Sequence, residues 1–286
     1  MCRRNPGRNF DSTGWGTAVC CGVCKKGWKA EMMLSVKEGT FGYREKEKIL
    51  DRISFEINSG EIVMMLGKNG VGKTTLLRCI CGLQKWNSGQ MYLDGKCNEK
   101  ELFHRISYVA QTYECTFSYR VIDMICMGLT KKMGYFAVPG VKEKKQAMQI
   151  MKEVGIEELA EKECSALSGG QLRMVMIARA LVSDPDILIM DEPEAYLDLR
   201  RQRDLFQLIK KITWQRQIIC MINTHYPEHA FKYADKVMLL GHRKYLYGKK
   251  EKVMTEKNLK EFLDVEVHLI NLREIGYQEK IIYITD

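Results

Sequence analysis

"EIVMMLGKNGVGKTTLLRCICGL", residues 61–83, decides how this 286-residue chain folds. Residues 61–67 form a short apolar run ending in glycine, with the length and flanks of a buried strand. From Lys73 onward, "KTTLLRCICGL" has helical spacing and runs to Gly82. Between them, "GKNGVGKTT" fits G-x-x-x-x-G-K-[ST]. Such a loop points its backbone N–H groups inward and cradles phosphate at a helix N-terminus. Lys73 then reaches the β- and γ-phosphates, and the Thr74 hydroxyl binds Mg2+. Gly67, Lys68, Asn69, Gly70, Val71 and Gly72 complete the cradle, and Thr75 follows the hydroxyl ligand. A chance glycine-rich turn, the alternative, does not account for the strand before it and the helix after it. The stretch predicts a site for a purine nucleoside triphosphate.

The second half of that chemistry is "ILIMDEP", residues 187–193. Asp191 ends a buried strand and can hold Mg2+, usually through water. Glu192 can orient or deprotonate an attacking water. Alone, this would read as an acidic turn at a strand end; paired with the phosphate loop it reads as chemistry.

Around these two stretches, strands alternate with helices. "SGQMYLDG" ends in the hairpin-turn signal Asp94-Gly95, "RISYVAQ" alternates, and "QIICMINTH" and "KVMLL" are strands. "QLRMVMIARALVS" and "DLRRQRDLFQLIKKI" are amphipathic helices. The pattern implies an α/β fold with a mainly parallel sheet. Residues 121–163 are mostly helical, with "VIDMICMGL" and "KEKKQAMQIMKEVGI" separated by a Gly/Pro stretch, and read as an inserted helical subdomain. The tail from 251 offers one helix, "TEKNLKEFL", and two short strands, "VEVHLI" and "KIIYI".

Hydrophobic content of 45% and charged content of 28% are ordinary for a globular protein. No run is long and apolar enough for a transmembrane helix, and no signal peptide is expected. Of the net charge of +9, residues 1–31 carry +4, with six Lys/Arg against two Asp/Glu. The remaining +5 fits anionic lipid, RNA or nucleotide equally. Cys20, Cys21 and Cys24 lack the second pair a zinc site needs, so a small metal or redox tail is the weaker reading. Cysteines such as Cys79, Cys81, Cys126 and Cys220 sit in apolar stretches and are expected to be reduced and buried. Residues 1–31 lack helical or strand period, and translation is expected to begin at Met32 or Met33. The expected organisation is a non-core extension at 1–31, an ATPase domain at 32–250 with its helical subdomain at about 112–165, and a short C-terminal extension at 251–286.

One further run, "ECSALSGGQLRMVMIARAL", places a serine and two glycines ahead of an amphipathic helix. The chain order is phosphate loop, Gln111, "LSGGQ", "DEP", "YLD" and His225. That order resembles the nucleotide-binding subunit of ATP-binding-cassette (ABC) transporters, over about residues 33–286. The resemblance implies a P-loop NTPase cassette with an N-terminal antiparallel β subdomain, binding ATP and Mg2+. It implies that Tyr43, in "FGY", stacks on adenine, an ordinary strand aromatic being the alternative. Gln111 resembles the glutamine that senses Mg2+ and the attacking water, and His225 the switch histidine at the γ-phosphate. Asp198 resembles the acid at a dimer seam. Ser168, Gly169, Gly170 and Gln171 resemble the signature that closes over the ATP held by an opposite subunit. A second anion site on a chain that already has a phosphate loop makes sense if it covers a partner's nucleotide.

Three positions depart from the family pattern: Glu194 where Thr or Ser is common, Lys68 where Pro is common, and Tyr196 in place of a small residue. Glu194 is expected to add negative charge near the site. The segment "MGLTKKMGYFAVPGVKEKKQAMQIMKEVGI", the run "YLDLRRQ" and the tail resemble importers of iron–siderophore, haem and cobalamin. The implied partners are a second copy of the chain, a separate membrane permease and, through it, an extracytoplasmic substrate-binding protein. The implied place is the cytoplasmic face of the plasma membrane. No nucleic acid partner is expected: one phosphate loop argues against a ribosome-acting protein, and the short 112–163 segment against a DNA-repair coiled coil. An exporter or vitamin-uptake ATPase and a cassette that binds ATP without turnover are the remaining alternatives.

Overall fold

The structure, a computed structural model, describes residues 31–44, 47–97, 99–112, 118–133, 138–271 and 280–285. Residues 1–30, and with them Cys20, Cys21 and Cys24, lie outside this set, whereas Met32 and Met33, the expected start, lie inside it. In chain order the elements open with β1 (Met33–Phe41), β2 (Leu50–Asn58), β3 (Ile62–Leu66), α1 (Lys73–Ile80), β4 (Ser88–Leu93), α2 (Glu99–His104) and β5 (Ile106–Val109). Then come α3 (Val121–Cys126), α4 (Val141–Val154), α5 (Gly169–Leu181), β6 (Ile187–Asp191), α6 (Leu199–Arg216), β7 (Ile219–Asn223) and α7 (Pro227–Tyr233). The chain ends with β8 (Lys236–Gly241), β9 (Lys244–Lys249), α8 (Lys250–Val253), α9 (Glu256–Leu263), β10 (Glu266–Asn271) and β11 (Lys280–Thr285).

The central sheet has the order β5-β6-β7-β3-β8-β9. All its neighbours run parallel except β9, which closes one edge antiparallel to β8. Strands β3, β6 and β7 are apolar up to the Asp191 and Asn223 that end β6 and β7, because both faces are covered. Successive side chains point to opposite faces. Thus Val63, Met65, Ile187, Ile189, Ile219 and Met221 join one core with α1 and the antiparallel sheet β2-β1-β4. Met64, Leu66, Leu188, Met190, Cys220 and Ile222 join the other, with α5, α6 and α9. The helices α3 and α4 pack on α5 and form the inserted helical subdomain. β10 and β11 pair antiparallel at the C-terminal end.

Some expectations changed on contact with the fold. Asp94 and Gly95 do form a tight turn, with φ of 53° and 74°. Past it the pairing is a single bridge from Leu93 to Lys96, because β4 makes its long pairing with β1 instead. Cys79, Cys126, Cys164 and Cys220 are buried, but Cys81 is half-buried and Cys97 is exposed, just beyond that turn. No helix among the described residues is long and apolar enough to cross a membrane.

Candidate active site

The site is built where β3, β7 and β6 end side by side. Register pairs Met65 with Asn223, and Asp191 with Asn223, so the three strand ends are level. Loops leaving the C-terminal ends of parallel strands are where α/β sheets place ligands. The loop after β3 carries the glycines. A Cβ on Gly67 would stand 2.2 Å from the Leu240 carbonyl oxygen, and one on Gly72 2.5 Å from the Ile49 side chain. A Cβ on Gly70, at φ 79°, would meet nothing within 4 Å among the described residues, so that side of the loop is open. α1 begins at Gly72 with no side-chain cap and no acid in its first turn, leaving N–H groups for an anion.

Lys73 is 6% exposed, and its Nζ donates to the carbonyls of Gly67 (2.6 Å) and Lys68 (2.9 Å). Burial lowers its pKa, while the nearby Glu192 and Asp191 charges raise it. Thr74 and Thr75 follow, half-buried, in the first turn of α1. Lys68 is exposed, with Nζ 2.6 Å from Asp264, the residue that caps α9.

Asp191 is 1% exposed and oriented by two donors, Asn223 Nδ2 at 2.6 Å and Tyr108 Oη at 3.2 Å. Glu192 follows with φ 48°, a left-handed conformation that non-glycine residues adopt at a cost of about 1–3 kcal/mol. Its carboxylate is gripped from two sides. Gln111 Nε2 donates to Oε2 at 2.6 Å, and His225 Nε2 lies 2.6 Å from Oε1. Gln111 itself is set by Arg173, whose guanidinium donates to the carbonyls of Ala110 and Gln111. The candidate metal donors, Thr74 hydroxyl, Asp191 carboxylate and Gln111 amide oxygen, are all hard oxygens and fit Mg2+.

Tyr43 is 60% exposed just past β1, edge-on to Phe41 at 5.1 Å. Phe41 accepts a backbone bond from Ile49, whose side chain lies against Gly72, so Ile49 links the end of β1 to the phosphate loop. Ser168, Gly169, Gly170, Gln171 and Asp198 form a second group. Ser168 caps α5 by accepting from Gln171 N at 3.3 Å, and Gln171 Oε1 accepts from Ser168 N at 3.1 Å. A Cβ at Gly169 or Gly170 would meet Tyr196, Leu197 and Arg201. Asp198 caps α6 by accepting from Arg201 N at 2.8 Å.

The model of the ABC transporter family matches residues 50–195. The chain belongs to the ABC transporter family. It is an ATP-binding cassette, an ATPase coupled to transport. Among its relatives, a molybdate import ATP-binding protein of Haemophilus influenzae is 30% identical over 226 residues, covering 79% of this chain and 86% of the relative. The "Probable iron chelatin transport ATP-binding protein" of Helicobacter pylori is 33% identical over 247 residues, covering 84% and 96%. A solved structure assigned to a metal-chelate type ABC transporter, in an inward-facing conformation, superposes with a TM-score of 0.79 at 26% identity, covering 89% of this chain and 98% of that one.

Several residues of this cassette's site escape sequence pattern. Tyr108 and Asn223 orient Asp191, and Arg173 orients the glutamine, yet they read as strand, strand-end and helix residues. Asn223 left a signal, a polar residue closing the apolar run before His225; Tyr108 and Arg173 left none. Glu194, expected to add charge beside the site, is 2% exposed and bonded to the Thr224 hydroxyl next to His225, and burial pushes its pKa up.

Proposed function

We propose that this cassette hydrolyses ATP between two copies of itself and powers import of a metal chelate through a separate permease. The single observation behind the hydrolytic reading is the carboxylate of Glu192 held between Gln111 and His225, beside Lys73 and Asp191. Glu192 is placed to take a proton from a water attacking the γ-phosphorus in line, as the bond to the β–γ bridging oxygen breaks. Lys73 and the N–H groups of the glycine loop hold the phosphate oxygens where charge develops. Mg2+, held by Thr74, Asp191 and Gln111, would neutralise phosphate charge. Gln111 and His225 keep Glu192 oriented, and Tyr43, exposed just past β1, offers a stacking surface for the base. Ser168 and Gly170, at the start of α5, offer a hydroxyl and N–H groups to the nucleotide of a second copy.

The metal-chelate cargo is supported by the iron chelatin relative and the metal-chelate type structure. The molybdate relative favours a second reading, an oxyanion importer. The permease and substrate-binding protein partners, and a place on the cytoplasmic membrane face, follow from the same reading. The test is to isolate the membrane protein that co-purifies with the chain. ATPase activity of that complex should rise with an iron–siderophore, haem or cobalamin presented by the binding protein. Stimulation by molybdate alone would replace the chelate with the oxyanion. The variant Glu192→Gln should bind ATP normally and lose at least about a hundredfold in kcat; turnover at the wild-type rate would remove Glu192 as the base.

A further inference from the structure

The buried carboxyl of Glu194 has no part in the chemistry just described, yet it is one of few charged side chains in the core. Its Oε1 accepts the hydroxyl of Thr224, which is itself fully buried. The same hydroxyl oxygen accepts the N–H of Tyr226 at 3.1 Å. These two bonds bracket His225, which lies between Thr224 and Tyr226 and reaches back to Glu192 at 2.6 Å. The loop after β6 and the loop after β7 are thus joined twice, once through Glu192 and His225 and once through Glu194 and Thr224. The backbone adds a third tie, Glu192 N to Asn223 O at 3.0 Å.

The arrangement is costly in itself. Glu194 Oε2 is buried with no hydrogen-bond partner among the described residues, and an unmet buried acceptor destabilises the fold. Two residues to either side, Glu192 and Tyr196 are held at φ 48° and 66°, where non-glycine residues are strained. Costly local choices of this kind concentrate at functional sites. From this geometry we infer that Glu194 is a positioning residue: through the Thr224 hydroxyl it holds the His225 loop so that the imidazole stays on Glu192. The inference rests on the hydrolytic reading above and adds to it what fixes the histidine.

The test is steady-state turnover of Mg-ATP by the full-length chain. Thr224→Val removes the hydroxyl and Glu194→Leu removes the acceptor. Each should lower kcat roughly ten- to a hundredfold, as loss of alignment does, with KM for ATP and equilibrium nucleotide binding within about twofold of wild type. Glu194→Gln keeps an oxygen for Thr224 and should keep kcat within about twofold. In a His225→Ala background, Thr224→Val should add no further loss, an outcome that a purely structural role would not produce. Wild-type kcat in Thr224→Val overturns the inference, and so does full additivity with His225→Ala, or a fall in Glu194→Gln as large as in Glu194→Leu. Should Glu194→Leu not fold, judged by its thermal melt, Thr224→Val and Glu194→Gln decide the matter alone. Glu192→Gln separates the two levels: if it is inactive while Thr224→Val is normal, the inference alone falls. If Glu192→Gln turns over normally, the hydrolytic reading falls and takes the inference with it.

Discussion

Glu192 and Glu194 are two residues apart and have opposite surroundings. Glu192 is partly exposed and carries two donors, whereas Glu194 is sealed and accepts a bond at one oxygen only. The pKa of Glu194 is raised above the ordinary 4.5, chiefly by burial. The folded chain therefore holds this proton more tightly than the unfolded chain. Below 4.5 both states carry it and it makes no difference to stability. As pH rises from there through the raised folded value, the unfolded chain loses its proton first and stability falls; above that value the loss is constant. Glu194→Gln lacks this term. Urea midpoints measured across the acid-to-neutral range should fall for wild type relative to the variant within that window. Parallel curves would show that the carboxyl titrates normally. Nothing in the residue string marks the difference in burial between the two acids, because it depends on tertiary contacts such as that with Thr224, thirty positions away.

At the level of elements, legibility followed how locally each one is determined. β3, β6 and β7 read as strands because both their faces are buried, which makes them continuous apolar runs. α1 and α5 read as helices from their spacing, and Ser168 with Gln171 forms a capping box at the start of α5. β9 and α7 do not stand out: β9 is half-buried and held by its pairing with β8, and α7 is only seven residues long. The phosphate loop shows how an element can be constrained by another remote in sequence. Gly67→Ala would bring its Cβ within 2.2 Å of the Leu240 carbonyl, a backbone atom that cannot step aside alone. That variant should lose at least about tenfold in ATP affinity and about 1–3 kcal/mol in stability. A nucleotide titration and a denaturant melt check both; unchanged values would mean that the β3 and β8 loops have more slack than their contact allows.

For the molecule as a whole, the two groups of site residues set the quaternary question. Lys73, Asp191, Glu192, Gln111 and His225 gather at the strand ends, whereas Ser168, Gly170 and Asp198 gather around Tyr196, Leu197 and Arg201. If the second group serves a partner's nucleotide, mixing Lys73→Ala chains with Ser168→Arg chains leaves one intact site in each mixed dimer. Turnover should then reappear on mixing two inactive variants. Continued inactivity in verified mixed dimers would mean that Ser168 serves its own chain's ATP. The phosphate loop, the strand-end acids and the α/β alternation were legible in the chain itself, because each depends on short-range spacing between neighbouring residues, whereas the signature run was legible only through its resemblance to the family. Folding alone decided that Tyr108 and Asn223 hold Asp191, that Arg173 sets Gln111, that Lys68 meets Asp264, and that Glu194 is hidden against Thr224. Those contacts join positions 30 to 196 apart, and which distant side chains meet depends on how the sheet orders its strands.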